Sequence, residues 1–99
     1  MLLVAAADDQ LWPSCPLSAP AFAHLVDADH ATTWSDEYRC LPGAGHSINP
    51  SRIGFPLADL IDRGTGLPRT AYGGTAELDD AANRVVGPLV SEFLTRALQ

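Results

Sequence analysis

Apolar residues open the chain without a break: Leu2-Leu3-Val4-Ala5-Ala6 contains no polar position. A continuous run of this length, stopped by Asp8-Asp9-Gln10, predicts a β-strand over residues 2–6 that is covered on both faces, as in a parallel sheet. Residues 14–18 read as a loop punctuated by Pro13, Pro16 and Pro20. A helix is predicted from Ala19 to Ala28, with Ser18 as N-cap and Pro20 in the first turn. Its apolar stripe is Ala21, Phe22, Leu25 and Val26. Asp27 to Thr33 reads as a polar connection. Loose alternation from Asp36 to Leu41 then predicts a second strand, with Tyr38 and Cys40 on one face and Glu37 and Arg39 on the other.

Strand, helix and strand in this order form a βαβ unit, so the strands should run parallel with a right-handed crossover. The second strand ends in a glycine-rich turn, Leu41-Pro42-Gly43-Ala44-Gly45-His46. Ser47 to Gly74 is irregular, with a short helix expected at Leu57 to Asp62. So long a connection is uncommon in a compact domain and is usually functional. A final helix should start at Thr75, a good N-cap, and end near Leu98, with Leu78, Ala82, Val85, Leu89 and Phe93 as its apolar face. Asp79 and Asp80 near its start and Arg96 near its end suit the helix dipole. Gly87-Pro88 should kink it, because Pro88 cannot donate to the carbonyl of Arg84. The class is α/β. Covering both faces of the first strand takes more neighbours than 99 residues readily supply, so the expectation is the last part of a larger domain.

Composition narrows the function classes. With 46% hydrophobic and 18% charged residues, the chain has the balance of a globular domain rather than of a disordered segment. The longest apolar run, Met1 to Ala7, is far short of the roughly 20 residues needed to cross a bilayer. It leads into Asp8-Asp9 without a basic start, unlike a signal peptide. A net charge of −6, no lysine and six scattered arginines argue against nucleic acid. Cys15 and Cys40 form no CxxC, so neither a zinc site nor a disulfide framework is expected. Two reduced cysteines in a cytoplasmic setting follow, Cys15 semi-buried in a proline-flanked loop and Cys40 in the core.

Two loops carry the candidate chemistry, and each follows a strand at its C-terminal end, where ligands gather on open parallel sheets. One offers Asp8, Asp9 and Gln10; the other offers His46, 37 residues beyond Asp9. If the strands are neighbours, an acid and a histidine meet at one edge. A carboxylate accepting the Nδ1–H of an imidazole fixes its tautomer and stabilises the imidazolium formed when Nε2 takes a proton. The plainer alternative is a turn aspartate and a loop histidine that do not touch. His24, Asp27, Asp29 and His30 do not suit a calcium loop, which needs Gly and Glu where Thr32 and Tyr38 stand, and read as exposed helix-end residues. Asp79-Asp80 reads as helix N-terminal charge bias, and Phe22, Trp34 and Tyr38 as core or rim contacts. No metal or cofactor is expected.

Leu2-Leu3-Val4 followed by Asp8-Asp9-Gln10-Leu11-Trp12-Pro13-Ser14 resembles the acid-bearing loop of an α/β-hydrolase. More narrowly, it is similar to the C-terminal domain of the bile acid-CoA:amino acid N-acyltransferase and acyl-CoA thioester hydrolase family. Tyr38-Arg39-Cys40-Leu41-Pro42-Gly43-Ala44-Gly45-His46-Ser47-Ile48 resembles that family's histidine loop. Gly73-Gly74-Thr75, with the Ala-rich acidic helix through Phe93-Leu94, resembles its final element. The resemblance covers nearly the whole chain and implies Asp9 as triad acid and His46 as general base. Asp9 is favoured over Asp8 because Pro13 lies four residues after it; Asp8 is the alternative. It further implies an acyl-CoA or related thioester substrate and a place in lipid metabolism.

The family's nucleophile is a serine or cysteine between glycines on a sharp strand-to-helix turn. No G-x-S-x-G or G-x-C-x-G occurs here, and only eight residues precede Asp9. The expectation is therefore a segment carrying acid and histidine, inactive alone, whose partner is the missing N-terminal portion of the hydrolase domain. The alternatives are a non-catalytic remnant and part of another α/β-hydrolase, of dienelactone hydrolase, esterase or peptidase type.

Overall fold

Two parallel strands form the centre of the structure, a computed structural model that describes residues 1–54, 61, 63–67 and 69–99. Strand β1 (Leu2–Ala6) pairs with β2 (Glu37–Leu41) in a register that sets Leu2 beside Glu37 and Ala6 beside Leu41. Both agree with the predicted strands to within one residue. Their connection is helical, through α1 (Ser14–Asp27) and the five-residue α2 (His30–Trp34). Short 3-10 turns at Pro50–Arg52 and Arg69–Tyr72 precede the long helix α3 (Ala76–Ala97).

Helices lie on both faces of the strand pair, but the cover is partial: Leu2, Leu3 and Val4 are half-buried, and Arg39 and Cys40 of β2 are exposed. On one face Phe22 of α1 stacks on Tyr38, with ring centroids 5.7 Å apart. The Tyr38 hydroxyl donates to the carbonyl of Cys15 at 3.0 Å. On the other face Ala6, Leu41 and Ala44 pack with Ala82 and Val86 of α3, flanked by Val4, Ile48 and Val90. This core is small. Trp12, Trp34, Leu78 and Val85 are exposed instead, so Trp34 is not the core or rim contact expected.

Helix α1 begins at Ser14, not Ala19. The Asp9 carboxylate accepts the N–H groups of Leu11 and Trp12 and folds the acid loop tightly, and Leu17 N–H already bonds to the Pro13 carbonyl. Pro16 then falls in the first turn, where no N–H is needed. Ser18 is no cap; its hydroxyl donates to the Ser14 carbonyl. The expected polar connection contains α2, bracketed by Asp29 and Ser35 in left-handed conformation. Residues 57–60 and 62 of the short helix expected at Leu57 to Asp62 lie outside the described residues.

The early start of α1 carries a second correction. It sets Cys15 over β2, and Cys15 and Cys40 form a disulfide across 5.7 Å between Cα atoms. Cys40 is exposed rather than packed in a core. The ground for inferring a reducing compartment from two free thiols is thereby removed.

In α3 the Thr75 side chain caps the helix by accepting Leu78 N–H, as expected. The helix continues through Gly87-Pro88. Its inward face departs in part from the predicted stripe: Ala82 is buried as expected, but Asp79, Asn83 and Val86 are buried beside it, and Leu78 and Val85 are 44% and 51% exposed. Asp79 is thus no surface charge bias.

Candidate active site

The loops leaving β1 and β2 are tied together before either presents a functional side chain. Ala7 N–H continues the ladder to the Leu41 carbonyl, and Asp8 N–H donates to the Ala44 carbonyl at 2.9 Å. Gly43 takes a φ of +67°, a left-handed turn that suits glycine and swings the second loop back over the strand ends. A third segment wedges between the two. The Tyr72 carbonyl accepts N–H groups from both loops, Gln10 at 2.9 Å and His46 at 3.3 Å. Gly73 lies so close that a Cβ there would sit 1.7 Å from the Asp8 carbonyl oxygen, and a Cβ on Gly45 would meet the Gly73 carbonyl at 2.0 Å.

This bracing brings Asp9 and His46 together. His46 Nδ1 lies 3.0 Å from Asp9 Oδ2, and Asp9 Oδ1 accepts the N–H groups of Leu11 (3.0 Å) and Trp12 (3.2 Å). The Asp9 side chain is only 3% exposed. Burial pushes its carboxyl up, but the hydrogen bond from His46, the two backbone N–H bonds and the attraction of the imidazolium together outweigh that and hold it below the usual carboxylate range. An ionised carboxylate can only accept, so Nδ1 carries the proton and Nε2 of the neutral ring is left as the basic atom. The Trp12 ring meets the imidazole edge-on, 5.1 Å between centroids, and limits its tilt.

Asp8 takes a different place. Its Oδ2 accepts Gly74 N–H at 2.8 Å and its Oδ1 accepts Gln10 Nε2 at 2.9 Å, so it braces the Gly73-Gly74 segment and does not pair with the histidine. Ser14 Oγ both donates to the Ala6 carbonyl and accepts Ala6 N–H, each at 3.0 Å. That satisfies the backbone of Ala6, the last residue of β1.

A depression of about 190 Å³ opens beside the pair, lined by Val4, Ala6, Trp12, Ser14 and Ile48 among others. It is smaller than the roughly 300–1,000 Å³ of a drug-sized ligand site. Among the described residues no hydroxyl or thiol is hydrogen-bonded to His46 Nε2. Ser14 is held by the backbone of β1, Ser47 is buried, and both cysteines are in the disulfide. No group of three or more metal-ligating side chains occurs among the described residues, and no helix among them is long and apolar enough to cross a membrane.

The family model for the BAAT / acyl-CoA thioester hydrolase C terminal matches residues 1–99. The chain belongs to this family. No curated protein and no solved structure matches it. Within this family domain, sequence patterns pointed to Asp9 and His46 but not to Tyr72, Gly73 and Asp79, which hold their loops. Tyr72 acts through its carbonyl, which no residue type encodes. Gly73-Gly74 was a visible signal, since two adjacent glycines before a helix cap suggest close backbone approach. Asp79 is buried and accepts Gly45 N–H at 2.8 Å; its pairing was legible only once the helix face was known.

Proposed function

We propose that these 99 residues are the C-terminal part of a serine-type α/β-hydrolase domain that cleaves acyl-CoA thioesters, and that they supply its acid, Asp9, and its general base, His46. The observation that carries this reading is the 3.0 Å Asp9–His46 contact at the C-terminal ends of parallel strands, in a chain of this family. The nucleophile comes from polypeptide outside the 99 residues. A serine hydroxyl attacks the thioester carbonyl while His46 Nε2 takes its proton; the tetrahedral intermediate collapses, and the imidazolium returns that proton to the leaving thiolate, releasing CoA. Water then attacks the acyl-serine with His46 again as base, freeing the carboxylic acid. In the acyltransferase branch of the family an amine takes the place of this water. Asp9 holds the Nδ1–H tautomer and balances the imidazolium in both half-reactions.

The small core and the exposed Leu78 and Val85 support the reading, because they leave apolar surface for the rest of such a domain to cover. The small depression fits as well: the acyl and CoA walls lie on the other elements. The test is CoA release from acyl-CoA, followed with a thiol reagent. The 99 residues alone release none. The same residues joined to their upstream reading frame, with a G-x-S-x-G segment, turn over and prefer acyl-CoA to p-nitrophenyl esters and lactones. Turnover by the 99 residues alone, lost in His46→Ala, overturns the external nucleophile, and preference for esters or lactones overturns the substrate class.

A further inference from the structure

The inward face of α3 carries two polar side chains where packing alone calls for apolar ones. Asp79 and Asn83, one helical turn apart, are both 0% exposed. Aspartate is almost never fully buried unless paired, and each buried polar group costs stability unless it is hydrogen-bonded. Both reach the same loop. Asp79 Oδ1 accepts Gly45 N–H at 2.8 Å, and Asn83 Oδ1 accepts Asn49 N–H at 2.6 Å. His46 lies between these two anchors, next to the first.

The approach leaves no slack. A Cβ on Gly74 would stand 2.4 Å from Asp79 Oδ1 and 2.5 Å from Gly45 N, so the carboxylate is seated against the crossing of the two glycine backbones. The first turn of α3 is fixed here by the Thr75 cap and by Asp79 N–H bonded to the Thr75 carbonyl at 2.8 Å. The hold of α3 on His46 described by these bonds runs through the loop backbone, at Gly45 and Asn49.

We propose that Asp79 and Asn83 are positioning residues, which clamp the histidine loop on both sides of His46 and so set the imidazole at Asp9. The proposal rests on the reading of Asp9 and His46 as an acid–base pair. It adds a rigid link from the helix to the base, made by two acceptors one turn apart. Burial, followed by the nearby charge of Asp8, pushes the Asp79 carboxyl up against the opposing pull of Gly45 N–H, so the clamp does not need a charge. An amide at position 79 offers the same Oδ1 acceptor.

Two measurements on the 99-residue chain test this. In hydrogen exchange of the unaltered protein, the Gly45 and Asn49 amides are protected together with those of Ala82 and Val86; absence of protection at both loop amides overturns the clamp, and this needs no variant to fold. Long-range proton–nitrogen spectra of the neutral imidazole read the tautomer, which a purely structural role would not set. The unaltered protein and Asp79→Asn show the Nδ1–H form. Asp79→Leu and Asn83→Leu lose it to the mixture of a free imidazole. Retention of the Nδ1–H form in both leucine variants overturns the proposal. Asp9→Asn separates the two claims: an unchanged tautomer there overturns the Asp9–His46 pair itself, whereas a lost tautomer there with retention in the leucine variants overturns only the clamp.

Discussion

Replacing Gly73 with alanine should separate the loops that carry Asp9 and His46, and its cost can be worked from the geometry. The residue has a φ of +92°, and its added Cβ would lie 1.7 Å from the Asp8 carbonyl oxygen. Carbon–oxygen contacts settle near 3.3 Å, so the backbones must part by roughly 1.5 Å. The Tyr72 carbonyl, one residue away, then loses its bonds to Gln10 and His46. Two hydrogen bonds at about 1 kcal/mol each, with about 1–2 kcal/mol for the left-handed conformation, give roughly 3–4 kcal/mol. Against the roughly 5–15 kcal/mol typical of a folded domain, that is a large share. Gly54 supplies the control. Its φ is +82° with nothing within 4 Å of a built Cβ, so Gly54→Ala bears only the backbone cost, about 1–2 kcal/mol. Urea unfolding followed by far-UV circular dichroism compares the two. Equal midpoints for Gly73→Ala and Gly54→Ala refute the wedge between the loops.

Other outcomes are set by the same contacts. Reducing the Cys15–Cys40 disulfide, which closes a 25-residue separation, should lower stability by about 3.5 kcal/mol on the chain-entropy account; an unchanged urea midpoint in reductant, or two titratable thiols in the oxidised native protein, contradicts it. Because the Asp9 carboxyl is held below its ordinary value, its contribution is present above the unfolded value and is lost as pH falls through the lower folded one. The acid limb of the stability profile should therefore flatten in His46→Ala, and an unaltered limb counts against the pair. The Asp79 carboxyl is pushed the other way, so its ionisation opposes folding as pH rises from the ordinary carboxylate value through the folded one. Asp79→Asn should match the unaltered protein in acid and exceed it in stability at neutral pH; lower stability at neutral pH contradicts the raised value.

The first strand was legible because its apolar run is continuous: a stretch such as Leu2 to Ala6 has few other ways to fold. The meeting of Asp9 and His46 was legible in outline, since parallel strands bring their C-terminal loops to one edge. Departures arose where one contact governs several residues. The turn closed on the Asp9 carboxylate starts α1 at Ser14, and that shift alone carries Cys15 over Cys40. Periodicity ranked Leu78 and Val85 as inward on hydrophobicity, yet the helix turns Asp79 and Asn83 inward because the loop presents unpaired N–H groups there. Hydrophobic patterns do not register a backbone donor awaiting an acceptor. The braces made by main-chain atoms, Tyr72 above all, leave no mark in side-chain identity.

The most direct test of the acid–base assignment is acyl-CoA hydrolysis by these residues joined to their upstream reading frame, compared with Asp9→Asn and Asp8→Asn. In Asp9→Asn the histidine is held in the wrong tautomer, and turnover should fall by about 10⁴-fold. Asp8→Asn should lower stability, through the weakened bond to Gly74 N–H, and leave turnover of the folded fraction within about tenfold, less than 1.4 kcal/mol of barrier. Full turnover in Asp9→Asn, or a larger loss in Asp8→Asn than in Asp9→Asn, would contradict the assignment.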